Sequence, residues 1–273
     1  MLLFPFAKIN LGLQVLRKRP DGYHDLRSVL LPIPLCDALE VVVDESFAPG
    51  EVQFESSGLP VPGDPAANLC LKAVELVGQQ RKLPGLRMHL LKAIPTGAGL
   101  GGGSSDGAHT LLLLNQLLSL GLSPEELHAM AARLGSDCPF FLKKQPQVAE
   151  GRGEKLTSVG LNLKGHWLVL VNPGIHVSTA EVFQGMQLTS SHADLQQALQ
   201  GQPSTWPGTV VNDMEAYVFA KHPAIGAIKA ELLKHGAVYA AMSGSGSSVF
   251  GIFGEQPTVP EFPAACRSWV FPL

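Results

Sequence analysis

The strongest chemical signal in this chain is the run Pro95-Thr-Gly-Ala-Gly-Leu-Gly-Gly-Gly-Ser-Ser-Asp106. Five of its residues are glycine (Gly97, Gly99, Gly101, Gly102, Gly103), with only Ala98 and Leu100 between them. Glycine lets a backbone take positive φ and approach a bulky anion without a Cβ clash. Ser104, Ser105 and a leucine-rich run follow at once, the pattern of a helix start. Free N–H groups and the positive end of the helix dipole would then point at one spot, which makes a phosphate cradle.

Three phosphate loops compete for this pattern. Gly97-x-Gly99-x-x-Gly102 fits the dinucleotide fingerprint, but that reading needs an acidic residue about 20 positions on, at the end of a second strand. Residues Gly121 to Glu126 read as a helix start instead, so a nicotinamide-dependent oxidoreductase is disfavoured. A P-loop needs Lys and then Ser or Thr after its last glycine, whereas Gly103 is followed by Ser104. A protein-kinase glycine loop lies between two strands, not before a helix. Without a loop lysine, the helix start, the Ser104 and Ser105 hydroxyls and a divalent cation are left to balance the phosphate charge.

Phosphoryl transfer to an alcohol also needs a group to receive the proton. Asp137 is the candidate base, because Gly135-Ser-Asp-Cys-Pro-Phe-Phe141 holds a carboxylate at the edge of an apolar segment. A turn-closing role for Asp137 is the alternative. Lys8 lies inside an apolar strand pattern, where an ammonium is costly unless a carboxylate or phosphate faces it. Asn10 shares its strand face by the period of two.

These residues need elements to hold them. Ile9, Leu11, Leu13 and Val15 alternate along a first strand over residues 1–16, and Pro20-Asp-Gly22 marks a turn. Strand material from Val29 to Val43 is interrupted by Pro32 and Pro34. Leu69 to Gln80 has helical spacing with Asn68 as N-cap, and Arg87 to Ile94 is a strand feeding the glycine loop. Helices are expected over Ser104–Leu120 and from Ser123 onward. The polar, glycine-rich stretch from Lys143 to Gly153 is the expected boundary between domains at 1–150 and 151–273. Beyond it come a buried strand at 167–171, short helices at 179–186 and within 189–208, a helix at 224–235, and a hairpin of 238–242 with 248–253. Helices and strands mix without β-α-β regularity, which favours an α+β fold.

Composition narrows the class. The chain has 273 residues, 45% hydrophobic and 16% charged, with a formal net charge of −3. That describes a globular protein without the basic surface nucleic acid requires. Its four cysteines form no C-x-x-C pair and read as reduced thiols. The apolar start is short and lacks a basic leader, and no run is long enough to span a bilayer, so a cytoplasmic protein without membrane contact is expected.

Pro95-x-x-x-Gly99-Leu-Gly-x-x-Ser-Ser105, together with Ala7-Lys-Ile-Asn10-Leu-x-Leu13 and Met242-Ser-Gly-Ser-Gly246-Ser-Ser, resembles the three signature segments of the GHMP kinases. The order matches and the resemblance covers nearly the whole chain. Arg19-Pro-Asp-Gly-Tyr-His-Asp25, Glu150-Gly-x-Gly-Glu154 and Asn212-Asp-x-Glu215 resemble one branch of that family. That branch phosphorylates the 2-hydroxyl of a cytidine-diphosphate-linked methylerythritol in non-mevalonate isoprenoid synthesis.

The resemblance implies a two-domain fold with the active site in the cleft, a small-molecule substrate, and ATP and Mg²⁺ as cofactors, in a monomer or homodimer. It implies that Lys8 sits beside Asp137 and keeps it ionised. Tyr23 and His24, with Phe183 opposite, would take the cytosine, and Asn10 the substrate oxygens. Pro95 and residues 97–105 would hold the triphosphate, with Asn68 and Leu69 near the adenine and Ser104 as a metal contact. Gly244, Ser245 and Gly246 would brace the phosphate loop, and Asp106 would cap the helix or approach the metal through water. Departures are small: Ser136, Cys138, Gly107, His109 and Met214 stand where other small or apolar residues are usual. A homoserine or mevalonate kinase, or an inactive nucleotide-binding protein, are the rivals; the aromatic pair argues against the first two and Lys8 with Asp137 against the last.

Overall fold

Helices and largely antiparallel sheets make an α+β structure in the computed structural model, which describes residues 1–189 and 192–273. The described residues gather into two compact units. The first comprises Met1–Ala7, Pro34–Thr96 and Gly101–Lys144; the second comprises Lys8–Ile33, Gly97–Leu100 and Gln145–Leu273. Residues 8–33 group with the later part of the chain because residues 26–30 pair with residues 147–151.

In the first unit, β1 (Leu2–Leu3), β4 (Ala38–Val43), β5 (Val52–Gly58) and β6 (Leu86–Lys92) form a sheet in the order β1-β4-β6-β5. Only the β5–β6 pair is parallel. β6 alternates strictly: Leu86, Met88, Leu90 and Lys92 are buried, and Arg87, His89 and Leu91 are exposed. Lys92 therefore enters the interior on the core face, an expensive placement for an ammonium. Three helices complete the unit: α1 (Leu69–Gly78), α2 (Gly102–Leu117) and α3 (Pro124–Leu134). The Asn68 side chain caps α1 by accepting the Cys70 N–H at 2.9 Å. Ser123 and Glu126 close a reciprocal capping box on α3. A Cβ on Gly107 would come within 2.9 Å of Leu69 Cβ, so the glycine in mid-helix is what lets α2 approach α1. A 3-10 turn over Cys138–Leu142 packs on α2, and the rings of Phe6, His109, Phe140 and Phe141 meet there.

The second unit holds two sheets. One, ordered β2-β3-β7-β8, is built from β2 (Phe6–Lys18), whose first two residues belong to the first unit, β3 (His24–Cys36), β7 (Gln147–Gly151) and β8 (Lys155–Ser158). The other, ordered β10-β11-β9-β12, is antiparallel throughout and is built from β9 (Trp167–Asn172), β10 (Tyr239–Met242), β11 (Val249–Phe253) and β12 (Arg267–Pro272). Helices α4 (Thr179–Gly185), α5 (Leu195–Ala198), α6 (Glu215–Lys221) and α7 (Pro223–Lys234) accompany them. Leu13, Val15, Val171, Val218, Ile228 and Val249 belong to one apolar core.

Several expectations change. β2 is buried from Phe6 to Val15 on both faces rather than one, so Asn10 and Gln14 join Lys8, whose burial was expected, in the interior. β3 runs straight through Pro32 and Pro34; its ladder to β7 covers Leu26–Leu30 and ends before either proline. The polar stretch at 143–153 contains a strand, β7, which turns back through Gly151 and Gly153 (φ 72° and 111°) into β8. In the stretch 189–208, residues 190 and 191 lie outside the described residues; the rest carries α5 and a 3-10 turn at Pro203–Thr205. All four cysteines are free thiols. No helix among the described residues is long and apolar enough to cross a membrane.

Candidate active site

Gly97, Gly99 and Gly101 take φ of 66°, 76° and 71°, so the loop bends through left-handed backbone at every second residue. At Gly99 nothing larger fits, since a Cβ there would lie 1.9 Å from the Ser243 carbonyl oxygen. α2 starts at Gly102, two residues earlier than the sequence suggests, and no side chain caps it. Its first internal bond runs from Ser105 N–H to Gly101 O at 2.9 Å, which leaves the N–H groups of Gly102, Gly103 and Ser104 ahead of the ladder. Ser105 N–H is used within the helix, and its buried hydroxyl lies 3.3 Å from His109 Nδ1.

Beside this helix start, within the first unit, lies a cavity of about 340 Å³ lined by Asn68, Leu69, Thr96, Gly103, Lys92 and Asp106, among others. Asn68 and Leu69 thus stand at the same cavity as the phosphate-loop residues. Asp106 does not cap α2, because it sits past the first turn, 3% exposed, and its Oδ2 accepts from Lys92 Nζ at 2.7 Å. Burial, and then the nearby Asp37 charge working against the Lys92 ammonium, push the Asp106 carboxyl up to about 7. Lys92 and Asp37 carry no motif, and the sequence reading missed both. A lysine at an inward position of the alternating β6 was the available signal.

Asp137 immediately precedes the 3-10 turn, is half-buried, and its side chain makes no capping bond to it. The neighbouring Cys138 thiol is buried, and that burial is the chief reason its pKa is pushed up to about 12. The turn packs on α2, which keeps the Asp137 segment beside that helix.

In the second unit, Lys8 Nζ donates to Asn10 Oδ1 at 2.6 Å and to the Gly99 carbonyl at 2.8 Å. Asn10 N–H donates to Ser243 Oγ at 3.2 Å, and its Nδ2 to Ser28 Oγ at 2.8 Å. Ser243 Oγ donates in turn to Gly99 O at 2.8 Å, and Ser248 N–H to Ala98 O at 3.2 Å. The glycine turn is itself pinned: Asn212 Nδ2 donates to the carbonyls of Met242 and Gly244, both at 2.8 Å, and Glu215 Oε1 accepts Met242 N–H at 2.8 Å. Ser245 Oγ lies 2.7 Å from Thr179 Oγ1 at the start of α4, and a Cβ on Gly246 would meet Met242 Sδ at 2.8 Å. The Asn212-Asp-x-Glu215 motif, which had no role in the sequence reading, acts by holding this turn.

The aromatic groups are arranged differently from expectation. Phe183 on α4 stacks on His24, with ring centroids 4.7 Å apart and planes 12° from parallel. Tyr23 is 57% exposed, and the Arg152 guanidinium lies 4.9 Å from its ring centre. Burial and the Lys18 charge lower the His24 pKa, favouring the neutral ring.

Among the described residues no group of three or more His, Cys, Asp or Glu is placed to hold a metal by itself.

Within the first unit, an uncapped helix start preceded by glycines, with a cavity at its flank, suits a nucleotide-using phosphotransferase. Residues 68–145 match the GHMP kinases N terminal domain and residues 189–269 the GHMP kinases C terminal domain, and the chain belongs to that family. It is 48% identical over 267 residues to the 4-diphosphocytidyl-2-C-methyl-D-erythritol kinase of Bacteroides fragilis, covering 97% of each chain. To the enzyme of the same name from Parabacteroides distasonis it is 46% identical over 258 residues, or 94% of this chain and 93% of that one. A crystal structure of 4-(cytidine 5'-diphospho)-2C-methyl-D-erythritol kinase superposes with a TM-score of 0.77 at 30% identity, covering 99% and 98% of the two chains. The homoserine kinase of Cytophaga hutchinsonii shares the fold at 15% identity, with a TM-score of 0.66 and 97% and 92% coverage.

Proposed function

We propose that this chain transfers the γ-phosphoryl group of ATP to the 2-hydroxyl of 4-diphosphocytidyl-2-C-methyl-D-erythritol, a step in non-mevalonate isoprenoid precursor synthesis. The relatives just named support the substrate. The chemistry rests on one local observation: Asp137 immediately precedes the 3-10 turn that packs on α2, the helix at whose start the phosphates would bind.

The N–H groups of Gly102, Gly103 and Ser104, with the loop backbone before them, receive the triphosphate and take up charge as it develops on the transferring group. Asn68 and Leu69 line the cavity for the nucleoside. Asp137 accepts the proton of the acceptor hydroxyl, and attack is direct and in line, without a phosphoenzyme. Lys8 keeps Asp137 ionised and steadies the phosphoryl oxygens, while Asn10 fixes the orientation of the ammonium. Mg²⁺, bound through phosphate oxygens and the Ser104 hydroxyl, would supply charge neutralisation. Tyr23, His24 and Phe183 hold the cytosine by stacking and edge contacts.

An ADP-release assay comparing the diphosphocytidyl alcohol with mevalonate and homoserine tests this reading. Turnover is expected with the first only. Equal or greater turnover with either of the others would sink the substrate assignment.

A further inference from the structure

A buried ammonium stands between the strand that leads into the glycine loop and the helix that leaves it. Lys92 ends β6 and is 3% exposed; its Nζ hydrogen-bonds Asp37 Oδ2 and, at 2.7 Å, Asp106 Oδ2. The other oxygen of Asp37, a residue just after β3, accepts the N–H groups of Ala93 at 2.6 Å and Ile94 at 2.9 Å. Asp37 therefore holds the backbone that launches the loop. Asp106 holds the helix that ends it, and Lys92 joins the two. A Cβ on Gly102 would lie 2.9 Å from Ile94 Cγ2 and 3.2 Å from Lys92 Nζ, so the first residue of α2 presses directly on this cluster.

Stability alone does not account for the arrangement. Two buried carboxylates sharing one ammonium are a poor stabiliser compared with apolar packing. Asp106 Oδ1 is buried without a hydrogen-bond partner, and Asp106 lines the cavity. An unsatisfied buried acceptor costs stability. What the cluster does provide is a fixed spacing between the two ends of the loop. Backbone donors preset toward a developing charge are effective only when held to a fraction of an ångström.

We propose that Asp37, Lys92 and Asp106 are positioning residues for nucleotide binding, a clamp that sets the distance between the end of β6 and the first turn of α2 and so aims the N–H groups of Gly102, Gly103 and Ser104. The inference rests on the reading that this loop takes a nucleotide. It does not depend on the identity of the acceptor.

The test uses the full chain with Mg²⁺, titrated calorimetrically with adenylyl imidodiphosphate and, separately, with cytidine diphosphate as an acceptor-side probe. The variants are Asp106→Asn, Lys92→Met and the triple Asp37→Leu/Lys92→Met/Asp106→Leu, each also melted without ligand. For Asp106→Asn and the triple variant, the adenine nucleotide is expected to bind about tenfold more weakly or worse, with cytidine diphosphate affinity within about twofold of wild type. The triple variant should melt at or above wild type, which separates position from stability. Nucleotide affinity within about twofold of wild type in Asp106→Asn would overturn the clamp. So would weakening of both ligands in step with a falling melting temperature. Should Lys92→Met fail to fold, Asp106→Asn decides alone. A chain that binds nucleotide as described but does not phosphorylate the diphosphocytidyl alcohol would sink the functional reading and leave this one standing.

Discussion

Lys8 Nζ and Ser243 Oγ donate to the same acceptor, the carbonyl oxygen of Gly99, each at 2.8 Å. A residue from the first long strand and one from the late glycine turn thus converge on the middle of the glycine loop. Ser243 also accepts from Asn10 N–H, and Asn10 Oδ1 receives the second bond of Lys8. The ammonium is aimed by a closed ring of buried hydrogen bonds, where low dielectric strengthens each member and makes a missing one costly.

Ser243→Ala is the sharpest probe of that ring. It leaves Asn10 N–H without an acceptor and removes one of the two donors to Gly99, so a stability loss of about 1–3 kcal/mol is expected in denaturant melts. The brace should also appear in kinetics as a higher KM for ATP at an unchanged KM for the acceptor. Equal effects on both KM values would argue that Ser243 serves folding alone.

Asp137→Asn should reduce kcat by about 10²–10⁴-fold, the usual contribution of a positioned base, while nucleotide affinity stays within about threefold. Stopped-flow phosphoryl transfer and nucleotide titration measure the two separately. Wild-type turnover in this variant would remove Asp137 from the mechanism.

How much of this was legible beforehand differs by residue. Lys8 stood out because an ammonium in an apolar strand must have partners, and the glycine loop because it precedes a helix. Asn68 was legible as a cap from its position alone. The Asp37–Lys92–Asp106 cluster was not, since its members are far apart in sequence and meet only once β6 and α2 pack. The orientation of Ser105 was not legible for a reason of helix phase: a start at Gly102 rather than Ser104 turns its N–H and hydroxyl inward. β8 was missed because it is four residues long and its pattern carries too few alternations to register.

That phase difference yields its own prediction. Ser105→Ala should leave the KM for ATP within about twofold of wild type, because its hydroxyl faces His109 and not the nucleotide. Ser104→Ala, which removes the hydroxyl at the helix mouth, should raise it several-fold. Steady-state kinetics at varied ATP and fixed acceptor separate the two; a larger effect at Ser105 would overturn the assignment.

His109 predicts a pH dependence of stability. It is buried, its ring meets Phe6 edge-on at 5.2 Å, and burial is the chief cause of its lowered pKa. Below about pH 6.5 the unfolded chain therefore binds a proton that the folded chain does not. Stability falls with acid in that range, by up to about 1.4 kcal/mol per pH unit from this group, until the folded-state pKa is passed. Denaturant melts between pH 7 and 5 should show a shallower decline for His109→Gln than for wild type. Parallel curves would mean that the ring is solvated.

Phe183 and His24 make the final prediction, about how the acceptor enters. Two rings already stacked at 4.7 Å leave no space for a third between them, so a cytosine must displace one or stack on an outer face. In the function proposed above, Phe183 would supply contact area for the base and none for the reacting hydroxyl. Phe183→Ala should raise the KM for the diphosphocytidyl alcohol about tenfold, a loss comparable to an aromatic stacking contact, with kcat and the KM for ATP nearly unchanged. Phe183→Tyr, which keeps the ring, should restore most of that loss. A fall in kcat at constant KM would place Phe183 in the chemistry of the transfer and contradict its assignment to the base.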